Sequence, residues 1–118
     1  MPGDSEFAVL FCTVPSMEEG RKIARHVVGR HLAACVNLVP GLVSIYEWEG
    51  RIEDASEVLM ILKTRKDLVQ DLTARIVEIH PYDCPEVIAL PVASGHPKYL
   101  EWMDSVTGST SSREDEKE

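Results

Sequence analysis

The sequence predicts an α+β domain whose elements run βαββαβ, with a short helix appended. Three observations predict it. Four segments carry strand character, rich in β-branched, leucine and aromatic residues. Two intervening segments repeat their apolar residues at helical spacing. Between the second and third strand segments stands only the turn signal Glu49-Gly50, which makes that pair a long hairpin.

The first strand, residues 7–14, is almost continuously apolar, so both its faces should be buried and it belongs in the middle of a sheet. Pro15 ends it. Ser16 is the expected N-cap of the first helix, with Glu18 and Glu19 favourable in the first turn. Ile23, Ala24, Val27, Val28 and Leu32 form the apolar stripe of that helix. Residues 33–39 start a second strand, Pro40-Gly41 interrupts it, and residues 42–48 resume with period-two character. A bend or bulge within one long strand accounts for this. Residues 52–63 carry the return strand, apolar on both faces over residues 58–62.

Asp67 is the expected N-cap of the second helix, whose stripe is Leu68, Val69, Leu72, Ile76 and Ile79. Residues 86–92 read as the fourth strand, with Pro91 near its end, where a missing donor is tolerable. Gly95-His96-Pro97 opens a last short helix through Trp102 and Met103. The domain is expected to occupy residues 1–106. Residues 107–118, Ser/Thr/Gly and then charged, are expected to form a disordered acidic tail.

Two βαβ halves interleave into a four-stranded antiparallel sheet with both helices on one face, the ferredoxin-like arrangement. The other face then has no cover within the chain, although the strands are apolar on both sides. Other copies of the chain are the simplest cover, and the hairpin tip bearing Tyr46 and Trp48 is long enough to reach one.

A net charge of −8 with no Lys/Arg stripe argues against nucleic acid as a partner. No apolar run approaches the roughly 20 residues of a membrane span. The first residues lack the basic and apolar regions of a secretory leader. Three cysteines without regular spacing make no disulfide framework, so a reducing, cytoplasmic location is expected.

Potential chemistry concentrates in His80-Pro81-Tyr82-Asp83-Cys84-Pro85-Glu86. Two prolines stiffen this stretch between a helix and a strand. It gathers an imidazole, a thiol, a phenol and two carboxylates. Asp83 and Glu86 could form an acid–base pair, but turn and strand-edge roles fit them better, because no nucleophile or cofactor motif accompanies them. His80 closes a helix, where a charged imidazole suits the last carbonyls. Cys12 reads as a small buried hydrophobe, and Cys35 lies on a more mixed face. Glu57 and Lys63 share a face of their strand and need partners there, such as an intersubunit ion pair.

The motifs Leu32-Ala33-Ala34-Cys35-Val36-Asn37, Ser44-Ile45-Tyr46-Glu47-Trp48-Glu49-Gly50, Lys63-Thr64, His80-Pro81-Tyr82, Pro85-Glu86 and Tyr99-Leu100-x-Trp102 resemble the CutA1 family of divalent-cation tolerance proteins. The resemblance implies a homotrimer similar to PII signalling proteins, and an association with copper or other divalent metal ions. It implies Cys12, Cys35 and His80 as copper ligands. Cys84, outside that set, is the thiol nearest His80 in sequence and an alternative or addition to Cys12. The expected function is non-enzymatic cation tolerance. The alternative is a trimeric signalling or scaffolding module holding a small molecule or protein in an intersubunit cleft. That cleft would be lined by Tyr46, Trp48, Glu57, Lys63, Tyr82, Glu86, Tyr99 and Trp102.

Overall fold

The chain runs β1 (Phe7–Val14), α1 (Met17–Gly29), β2 (Cys35–Trp48), β3 (Arg51–Arg65), α2 (Val69–Ile79), β4 (Val87–Pro91) and α3 (Pro97–Val106) in the computed structural model, which describes residues 6–108. The strands form one antiparallel sheet in the order β2-β3-β1-β4. This is the expected βαββαβ fold with its terminal helix, and β1 is internal as its apolar run required.

Register assigns the two faces. Leu10 pairs with Leu62, Cys12 with Met60 and Val14 with Val58. These even-numbered residues are buried together with Ile23 and Val27 of α1 and Leu72 and Ile76 of α2. Both helices therefore cover one face. Ser16 caps α1 as expected, its Oγ accepting from the Glu19 amide at 3.2 Å. Gly20 lets α1 sit close to the sheet. A Cβ there would stand 3.2 Å from Leu38 Cδ2 and 3.3 Å from Val14 Cγ2. Val28 and Ile79 fall at the margins of their stripes and are exposed.

Asp67 does not cap α2. Arg65, two residues earlier, takes its carboxylate instead, with Nε–Oδ1 at 3.0 Å and Nη2–Oδ2 at 2.5 Å. Lys66–Leu68 becomes a 3₁₀ turn, and α2 starts without a side-chain cap.

The β2–β3 hairpin carries the expected irregularity, a register shift between Val39 and Leu42 with Gly41 at φ +84°. Its tip is a two-residue turn, Glu49 and Gly50 both at positive φ, as type I′ geometry requires. β1 pairs β3 only from Val58 onward, so residues 51–57 pair with β2 alone and the hairpin projects beyond the sheet.

The second face carries the odd-numbered residues of β1 and β3. α3 lies on one end of it, with Lys63 Nζ 5.8 Å from the centroid of the Tyr99 ring and Arg65 Nη1 3.2 Å from Asp104 Oδ1. One-sided helical cover thus holds for α1 and α2, with α3 the exception. Elsewhere on this face Val39, Ile88 and Leu90 stay exposed. The packed chain runs two residues past its expected end, Thr107 and Gly108 both being buried. The Thr107 hydroxyl donates to the Met103 carbonyl at 2.7 Å. Of the expected disordered tail, residues 109–118 lie outside the described residues. No described helix is long and apolar enough to cross a membrane.

Candidate functional site

The stretch from His80 to Glu86 leaves α2 and folds across the end of β1. His80 closes α2 with its amide on the Ile76 carbonyl at 2.8 Å. Its backbone then turns extended, as a residue preceding proline must (φ −73°, ψ 142°). This sends the ring onto β1, with Nε2 2.8 Å from the Thr13 carbonyl oxygen. The Tyr82 amide donates to Nδ1 at 3.0 Å. A carbonyl only accepts and an amide N–H only donates, so the hydrogen bonds assign a neutral ring protonated at Nε2. The charged helix-terminal imidazole expected from the sequence is not what forms.

Tyr82 packs its ring on His80 at 4.8 Å between centroids and donates its hydroxyl to Glu57 Oε2 at 2.7 Å. Glu57 is only 8% exposed. Burial, and then the bond to Glu57, raise the phenol's pKa above its ordinary value.

Beside this pair opens a hollow of about 690 Å³. Thr13 of β1, Tyr46 and Trp48 of β2, and Glu57 of β3 line it, with Tyr82, Asp83, Cys84 and Glu86 from the connection. It sits on the face away from α1 and α2: Thr13 and Glu57 are odd positions of β1 and β3, and past the bulge Ser44, Tyr46 and Trp48 pair with the odd β3 positions Ala55, Glu53 and Arg51. Three carboxylates and a thiol border it, and no lysine, arginine or histidine does.

The predicted metal set does not assemble within the chain. Cys12 pairs with Met60 and Cys35 with Lys63, positions of opposite parity on β3, so the two thiols point to opposite faces of the sheet. Cys12 is fully buried, and burial followed by the nearby Glu86 and Glu57 carboxylates pushes its thiol up to about 12. Both nitrogens of His80 are engaged. Within one chain, copper therefore does not fit Cys12, Cys35 and His80 as a set. Among the described residues, no three His, Cys, Asp or Glu side chains stand close enough together to hold a metal ion.

Within a single chain the residues of the expected intersubunit cleft form two groups. Tyr46, Trp48, Glu57, Tyr82 and Glu86 gather at the hollow. Lys63, Tyr99 and Trp102 cluster at the other end of the face, where Tyr99 and Trp102 pack at 5.4 Å. Glu57 and Lys63 do share a face, yet their neighbours differ. Thr13, Ser44 and Ile45 also line the hollow. The sequence offered only period two as a signal for Thr13, which stands on the face opposite Cys12.

A family model described as CutA1 divalent ion tolerance protein matches residues 8–106. The chain belongs to the CutA1 family. Protein CutA of Mus musculus is 51% identical over 111 residues, covering 94% of this chain and 62% of its own length. The chloroplastic protein CutA of Arabidopsis thaliana is 52% identical over 99 residues, covering 84% of this chain and 54% of its own. The chain thus spans only a little over half the length of these relatives. It matches 97% of the divalent-cation tolerance protein CutA of Thermus thermophilus, at 46% identity over 85% of this chain. Among solved structures, CutA1 from Oryza sativa superposes with a TM-score of 0.85 at 46% identity, covering 87% of this chain and 94% of that one. The CutA1 fold is therefore shared along nearly all of the described chain.

Proposed function

We propose that this chain acts, without catalysis, in tolerance of divalent cations, as a homotrimer that binds a cation such as copper at the hollow beside Tyr82. The observation that carries this reading is the lining: Glu57, Asp83 and Glu86 with the Cys84 thiol, and no basic side chain among them. Such a surface attracts cations, and the exposed thiol favours a soft ion over calcium or magnesium. One chain supplies an incomplete ligand set. Water or a neighbouring copy packed on the open sheet face completes it. A copper titration of the reduced protein against a competing chelator tests the reading. Cys84→Ser is expected to weaken binding about tenfold or more, while Cys12→Ala leaves it unchanged. Equal affinity of wild type and Cys84→Ser would remove the assignment.

A second reading rests on the size of the hollow and its aromatic walls, Tyr46 and Trp48. About 690 Å³ exceeds what a metal ion occupies and lies within the range of small-molecule sites. In this reading the trimer is a signalling or scaffolding module. A metabolite thermal-shift screen without a single hit argues against it.

A further inference from the structure

The resemblance makes His80 a copper ligand; the geometry gives the ring a different task. We infer that His80 is a positioning residue, which fixes Tyr82 against Glu57 and so builds one wall of the hollow, and that it does not bind the metal. The inference rests on the cation reading for its importance, but its geometry stands without it.

Four contacts carry it. Nε2 donates to the Thr13 carbonyl at 2.8 Å, tying the ring to β1. Nδ1 accepts the Tyr82 amide at 3.0 Å, which closes the backbone turn over Pro81. The imidazole then packs at a tilt against the Tyr82 ring, 4.8 Å between centroids. Held in this way, the phenol meets Glu57 at 2.7 Å. The line Thr13–His80–Tyr82–Glu57 therefore joins β1, the connection and β3 through a single neutral imidazole.

A metal would need a lone pair that the ring does not have free. Coordination at Nδ1 displaces the Tyr82 amide and reopens the turn. Coordination at Nε2 removes that nitrogen's proton, or moves it to Nδ1, and takes the only imidazole donor from the Thr13 carbonyl. Either route breaks a bond that is itself part of the wall, at a residue only 8% exposed. It follows that losing copper affinity on substitution of His80 does not identify a ligand. The hollow loses its shape first.

The test uses the reduced full-length assembly labelled with ¹⁵N-histidine, the four histidine signals being assigned with the help of His80→Asn. His80 is expected as the Nε2–H tautomer in the metal-free protein, unchanged by one equivalent of Cu(I). An Nδ1–H tautomer, a charged ring, or a copper-induced coordination shift at His80 would overturn the inference. A second readout follows phenolate absorption at alkaline pH. His80→Ala is expected to return Tyr82 to the ordinary tyrosine range. His80→Asn, whose Oδ1 can accept the Tyr82 amide as an Asx turn, should retain most of the elevation. A Tyr82 titration unmoved by His80→Ala sinks the proposal, and if that variant does not fold, the tautomer in the wild type decides. Absent copper binding with the Nε2–H tautomer intact would reject the cation reading and leave the role of His80 standing.

Discussion

The Tyr82 hydroxyl and the Glu57 carboxylate, twenty-five positions apart in the chain, lie 2.7 Å from one another at the rim of the hollow. Glu57 stands on β3 opposite Leu42 of β2 and beside buried Val58, and it is itself nearly buried. The phenol supplies a hydrogen bond that water no longer can. Tyr82→Phe removes this donor while keeping the ring. A hydrogen bond to a carboxylate contributes about 1.5–3 kcal/mol, so a loss of that order is expected in denaturant melts at fixed protein concentration. An unchanged midpoint would mean that Glu57 finds another donor.

Alkaline pH should destabilise the fold through two groups. The Cys12 thiol is raised from 9.0 to about 12, and the Tyr82 phenol is raised from 10.0. Each holds its proton more tightly folded than unfolded. Their contribution is complete below the unfolded values and is lost as pH rises through the folded ones. Stability should therefore begin to fall above about pH 9, by up to roughly 4 kcal/mol from Cys12 alone by pH 12. In Cys12→Ala the onset should move up to the range set by Tyr82. Urea melts across this interval measure it, and a decline with the same onset in Cys12→Ala would contradict the assignment.

The elements were legible in the sequence wherever one local signal decided them. Ser16 had no competitor for the α1 amides, and Pro40-Gly41 marked its bulge directly. Asp67 misled because Arg65, two residues away, competes for the same carboxylate, a contact that cap rules ignore. The site was less legible for a different reason. That Cys12 and Cys35 face opposite ways follows only from combining the β1–β3 and β2–β3 registers, which the sequence does not state. The His80 tautomer likewise depends on Thr13, whose closeness arises from packing alone. Residues 80–86 nonetheless stood out, because prolines and polar chemistry rarely coincide between two regular elements without a tertiary role.

The open sheet face should hold the copies together. Ile88 and Leu90 project from it beside Phe11 and Val9, their register partners, and both are exposed in the single chain. Ile88→Glu with Leu90→Glu places two charges on that face. Sedimentation at micromolar concentration is expected to move from a trimer to monomer, with retained secondary structure by circular dichroism. A double variant that stays trimeric would place the contact elsewhere, on the projecting hairpin.

The three thiols should be distinguishable by reactivity, and copper should protect only one of them. Cys84 is exposed at the hollow, Cys35 is half-buried on the open face, and Cys12 is fully buried with its thiolate disfavoured. Alkylation requires both access and thiolate, so a reduced native sample should label first at Cys84 and then at Cys35. Cys12 should label only on unfolding. If the cation sits in the hollow, stoichiometric copper should slow labelling of Cys84 and leave Cys35 unaffected. Mass spectrometry of the labelled peptides separates the three sites. Protection of Cys35 instead would move the ion to the other end of the sheet face, toward Lys63 and Tyr99. Protection of neither would remove Cys84 and Cys35 as ligands and reject the thiol-based site.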